Sequence, residues 1–263
     1  MLDLHLLYKL GSKIFLIYTF RIFQRMKVPT VKLSSGYEIP LVGLGTWQSK
    51  PGEVGKAVEA AINAGYTHID CAWVYGNQVE IGETLKRLFS CGHKKNVLEI
   101  LDQLQLKYID LMLIHWPVGY EEGGDPFPKI EIHPYFQQKK LRAFCKEKGI
   151  AVTAYSPLGN PGSAFYRKPG DPNILTEPIV TKIAATHGKT PAQVVLRWDV
   201  QQGITVIPKS TSEKRIKENA ALFDFQLAEA EMKEIDGLDH GLRIVDHTDR
   251  ESDHPYFPFW EEY

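Results

Sequence analysis

The sequence has few cysteines, no excess of charge of either sign and no long uninterrupted apolar run. Its three cysteines, Cys71, Cys91 and Cys145, are scattered through 263 residues. They are too few and too far apart for a disulfide framework or a zinc site, so a reducing compartment is expected and no metal centre is. Lysine and arginine number 31 against 32 aspartates and glutamates, a formal net charge of -1. That balance provides no electrostatic footprint for nucleic acid or for an anionic membrane surface. No stretch of 18 uninterrupted apolar residues occurs, so nothing is expected to span a membrane. What remains are small-molecule partners and a cytoplasmic setting.

The content is that of an ordinary globular domain, 43% apolar and 24% charged. Residues 1–27 differ. The segment LHLLYKLGSKIFLIYTFRIFQRMK is apolar, basic and free of acids after Asp3, as in a presequence or an interfacial amphipathic segment. A dispensable extension is the simpler reading, because Met26 stands just before an ordinary domain start, and 28–263 is then expected to form one domain.

Within that domain KLSSGYEIP predicts a hairpin turning at Ser35-Gly36. LVGLGTW predicts a buried strand ending at Gly45, and residues 52–64 a helix that Gly65 terminates. Strands follow at HIDCA, YIDLMLIHW, IEIHPY, IAVTAYSP and ITVIPKS, with helices at 79–88, 94–106, 136–148, 177–187, 191–201, 211–223 and 228–238. Thr190 is positioned to cap a helix that has Pro191 at its first position. Strands alternating with helices predict an α/β fold with a parallel sheet. Two places break the alternation. No strand separates the helices on either side of residues 89–93, and only PVGYEEGGDPFPK joins Trp116 to Ile130, too short and too rich in Gly and Pro for a parallel crossover.

Gly43 and Gly45 after a strand, with Asp70 ending the next, imitate a dinucleotide fingerprint, but Gln48 stands where its third glycine belongs and Pro51 starts the helix too late. The stronger pattern is positional. Thr46-Trp47, Asp70 with Tyr75, His115-Trp116, Glu131 with His133, Tyr155-Ser156 and Lys209-Ser210 all fall at or after the carboxyl ends of strands. In a closed β/α barrel those ends form the face that carries the active site. Each residue alone has a packing explanation; six strands presenting polar groups at one end is more than packing requires.

The stretches VGLGTW, GYTHIDCAWVYGNQVEIG, YIDLMLIHWP, EIHPY, VTAYSPLG and IPKSTSEKRIKEN resemble the aldo-keto reductases, NADP-dependent carbonyl reductases built on a (β/α)8 TIM barrel. The likeness is greatest to the aldose reductase and alcohol dehydrogenase (NADP) type. The resemblance implies reduction of a small carbonyl substrate with NADP(H) by a monomer. It implies Tyr75 as general acid, His115 as the group orienting the carbonyl, and Asp70 as the partner of a lysine and of the cofactor ribose. Gly45, Thr46 and Trp47 fall at the cofactor, Tyr155 on the nicotinamide, and Ser156, Leu158 and Asn160 over the pyrophosphate. Lys209, Ser210, Thr211 and Arg215 match the cluster for the 2′-phosphate, and Glu218 with Asn219 the adenine contacts. Trp47, Tyr75, His115 and Trp116 are implied at the substrate, with the chain from Leu242 onwards lining an apolar pocket.

Against that pattern the chain is shortened. The third and fifth barrel strands are expected to be missing together with adjoining helices, leaving six strands where closure takes eight. The third strand carries the family lysine that makes a tyrosine a useful proton donor. Arg87 is a candidate to replace it, and Lys129 stands where a glutamine would contact the nicotinamide. Two further readings stay open: a catalytically inactive chain that binds NADP or a partner, and a splice or gene-model product without a function of its own.

Overall fold

The structure, a computed structural model, describes residues 28–33, 36–71, 75–88 and 129–246. The regions 1–27, 94–106 and 108–116, with their expected extension, helix and strand, lie outside the described residues.

Strands β1 (Thr30–Lys32) and β2 (Glu38–Pro40) form the expected antiparallel hairpin, with Gly36 at φ 91° in its turn, a conformation that glycine adopts without steric cost. Five parallel strands follow: β3 (Leu44–Gly45), β4 (Ile69–Asp70), β5 (Lys129–Glu131), β6 (Thr153–Tyr155) and β7 (Thr205–Val206). β3 pairs with β4, and β5, β6 and β7 pair in that order. Parallel bridges Val42↔Val206 and Gly45↔Lys209 join the two sets. The resulting order is β5-β6-β7-β3-β4, with β4 and β5 at its two ends.

Helices α1 (Val54–Ala64), α2 (Gln78–Leu88), α3 (Lys139–Glu147), α4 (Pro178–His187), α5 (Pro191–Gln201), α6 (Glu213–Ala220) and α7 (Glu229–Asp236) complete the described elements, with a 3-10 turn at Ile174–Thr176. α1 forms because Val54, Ala57, Val58 and Ala61 recur on one face and are buried there. It ends where Gly65 takes φ 95°. α5 starts as its sequence predicts: Thr190 Oγ1 accepts from Gln193 N at 3.2 Å, and Gln193 Oε1 accepts from Thr190 N at 3.0 Å. Its Trp198 is fully buried and donates from Nε1 to Asp236 Oδ1 at 2.8 Å on α7. One apolar core runs from Leu41 and Val42 through Ala154, Val194, Trp198 and Val206 to Ile235. No described helix is long and apolar enough to cross a membrane.

Gly43 and Gly45 have packing reasons. A Cβ on Gly43 would lie 2.6 Å from His68 Nδ1, and one on Gly45 2.5 Å from Ile207 O. Both therefore let β3 pass close to its neighbours, which accounts for the pair without a dinucleotide fingerprint.

Candidate active site

The carboxyl ends of the parallel strands gather most of the residues singled out above. β3 and β4 are in register at Gly45↔Asp70, and Thr46, next in the chain, donates from Oγ1 to Asp70 O at 2.7 Å. Thr46 O in turn accepts from Asn77 Nδ2 at 2.9 Å, which draws the turn carrying Tyr75 against β3. The Trp47 ring lies 5.5 Å from that of Tyr166. Tyr166, which the sequence did not single out, also bears electrostatically on Tyr75 and on Tyr155. Tyr166 lies in the irregular segment AFYRKPG, which carries no periodic signal.

Asp70 is buried and accepts at Oδ1 from Lys129 Nζ, the two side chains being 4% and 2% exposed. The cation at Asp70 is therefore not Arg87, the candidate the sequence offered. Arg87 is not in the site: its guanidinium is 55% exposed and pairs with Glu59 on α1, Nη2 to Oε2 at 2.8 Å. Lys129, which stands where a family glutamine would contact the nicotinamide, reaches Asp70. The nearby groups are neutral. Burial lowers His68 to about 4, and the Cys71 thiol is raised by burial and then by Asp70. The Tyr75 phenol is likewise pushed up, first by burial and next by the charge of Asp70.

Beyond β6, Ser156 and Asn160 adopt left-handed backbone at φ 47° and 48°. They enclose a turn in which Gly159 N donates to Ser156 O at 2.8 Å, with half-buried Leu158 inside it. Asn160 Nδ2 is buried and has no hydrogen-bond partner among the described residues. After β7, Lys209 and Arg215 are both exposed; partial burial lowers Lys209, with Glu53 raising it and Arg215 lowering it further. Two cations at one strand end suit a phosphate group. Ser210 Oγ accepts from Ser212 N at 3.1 Å, and Ser212 caps α6 through Arg215 N. On α6 Asn219 is buried, Thr211 before it is half-buried, and Glu218 lies 3.8 Å from Lys214. The Gly45↔Lys209 bridge ties this group to the Asp70 group. His115 and Trp116 lie outside the described residues.

One further feature escaped the sequence. Glu131, fully enclosed, accepts from His133 Nε2 at 2.9 Å, from Ile244 N at 2.7 Å and from Val245 N at 3.1 Å. It thus fastens the segment after Leu242 to β5, where Arg243 lies 4.5 Å over the Phe136 ring. The EIHPY stretch held the pair, but nothing in it disclosed the distant backbone.

Parallel strands, outer helices and polar groups at the carboxyl ends define an α/β barrel of the enzyme type. The aldo/keto reductase family model matches residues 41–98 and 126–240, and the chain belongs to that family. Aldo-keto reductase family 1 member A1 of Mus musculus is 35% identical over 326 residues, covering 90% of this chain and all of the relative. Its Homo sapiens counterpart is 34% identical with the same coverage. The aldose reductase structure from Schistosoma japonicum superposes with a TM-score of 0.74 at 34% identity, covering 89% of this chain and 100% of that one. The alignment with the mouse relative is longer than the 263 residues of this chain, so the relative carries residues that this chain lacks.

Proposed function

We propose that this chain reduces aldehydes or ketones to alcohols with NADPH, and that Tyr75 is the general acid. The observation that carries the reading is geometric: the turn bearing Tyr75 is tied to the end of β3 by Asn77 Nδ2 donating to Thr46 O at 2.9 Å, beside Asp70 at the end of β4, which is paired with Lys129. NADPH, when bound, supplies a hydride to the carbonyl carbon. Tyr75 donates to the carbonyl oxygen and gives up its proton as the alcohol forms, and the phenol is restored from solvent. His115 orients the carbonyl, and Trp47 and Trp116 enclose the substrate's apolar body.

The remaining residues bind. Tyr155 presents its ring to the nicotinamide, and Gly45, Thr46, Trp47 and Asp70 hold the adjoining ribose. Ser156, Leu158 and Asn160 cover the pyrophosphate. Lys209, Ser210, Thr211 and Arg215 hold the 2′-phosphate, with Glu218 and Asn219 at the adenine. The shared pull of Lys209 and Arg215 favours NADPH over NADH, since a dianionic phosphate relieves their mutual repulsion. The barrel has lost its third and fifth strands, and the chain works as one domain from residue 28.

Tyr75→Phe tests the reading. It is expected to bind NADPH with unchanged fluorescence quenching and to lose aldehyde reduction by roughly 10²- to 10⁴-fold. Reduction at the wild-type rate refutes Tyr75 as the acid.

A further inference from the structure

Asp70 and Lys129 stand at opposite ends of the strand order β5-β6-β7-β3-β4, yet their side chains meet in the barrel interior. Lys129 Nζ donates to Asp70 Oδ1, both nearly inaccessible to water. We propose that Lys129, the first residue of β5 and the first after the shortened junction, is the positioning residue that supplies the site's cation in place of the lost lysine.

The geometry makes this assignment specific to the chain. A carboxylate buried at the end of β4 needs an opposite charge, because an uncompensated ion in a low-dielectric interior is costly. Arg87 is occupied at the surface with Glu59. Among the described residues, the groups facing Asp70 are His68 and Cys71 on either side of β4, Thr46 after β3, Tyr75 from the following turn and Lys129 from β5. Among these Lys129 is the cation, and His68 and Cys71 both feel it opposing the field of Asp70. Lys129 acts on Tyr75 through Asp70: pairing reduces the negative field that holds the phenol proton, so the proton is released to a substrate oxygen more readily. The shortening that removes one lysine thus brings another to the same carboxylate from the opposite edge.

The inference rests on the carbonyl-reduction reading only for its catalytic consequence, and the test separates the two. In the full chain without cofactor, Lys129→Met is expected to lower the melting temperature by about 5 to 15 °C. That deficit should grow between about pH 5 and pH 8, because the stranded carboxylate is costly only when charged. Asp70→Asn/Lys129→Met, which removes both charges, should recover most of the loss and its pH dependence, and Lys129→Arg should keep much of the wild-type behaviour. In turnover, Lys129→Met is expected to lower kcat roughly 10- to 100-fold with little change in KM. A pH-independent deficit that the double variant does not recover overturns the proposal, as does failure of both variants to fold. The pH signature together with an unchanged kcat overturns the catalytic role. If the pH signature is present but the wild type reduces no carbonyl, the pairing stands and the reaction assignment fails.

Discussion

Tyr75 sets the expected pH behaviour, because a phenol raised by burial and by a neighbouring carboxylate stays protonated well past neutrality. The direction of the shift gives the sign. Proton donation needs the acid form, so kcat for reduction is expected to be flat from about pH 6 to pH 9. Oxidation of the alcohol needs the phenolate and should climb across the same range without a plateau. Rate measurements in both directions at saturating cofactor check this, and a reduction rate that falls before pH 9 contradicts it. At this scale the sequence was most legible where one residue type allows one role. Tyr75 and Asp70 stand together in HIDCAWVYGN, their roles are those the family resemblance implies, and the charge of Asp70 bears on the Tyr75 phenol. The partner of Asp70 was not legible, because Lys129 lies 59 residues away and on the strand at the other end of the described order. Arg87 failed as a substitute for a local reason: it belongs to the exposed side of α2 and finds Glu59 there.

The elements were legible wherever period, cap and turn agreed. The 54–64 helix followed from its apolar face and Gly65, and the 191–201 helix from Thr190 and Pro191. The described strands, read as longer apolar runs, are only two or three residues of regular pairing each, since apolar periodicity marks burial and not the extent of hydrogen bonding. The attachment of the C-terminal segment had no sequence signal, because backbone amides from Ile244 and Val245 supply it. Glu131→Ala is therefore expected to speed amide hydrogen exchange at Ile244 and Val245 by at least about 10-fold, while Glu131→Gln retains part of the protection. Exchange unchanged in Glu131→Ala shows that the segment is held by its apolar contacts. Thr190→Ala is expected to lower stability by about 1 kcal/mol through loss of the cap, measured by denaturant unfolding.

For the whole molecule the fold class was evident in the alternation of strands and helices, and the family in a handful of motifs. The shortening also left a trace in the sequence, in PVGYEEGGDPFPK, a connection too short for a crossover helix. What the pattern could not show was that the two end strands of the described set, β4 and β5, approach closely enough for Asp70 to meet Lys129, which depends on long-range packing and not on any local preference. Carbonyl reduction requires that the strands bring the substrate carbonyl and the proton donor together. The most direct measurement is to incubate the full chain with NADPH deuterated at the transferred position and an aromatic aldehyde, and to weigh the alcohol by mass spectrometry. The account predicts an alcohol carrying one deuterium on the former carbonyl carbon, formed by the wild type and lost in Tyr75→Phe. An absence of deuterated alcohol from the folded wild-type protein would contradict it.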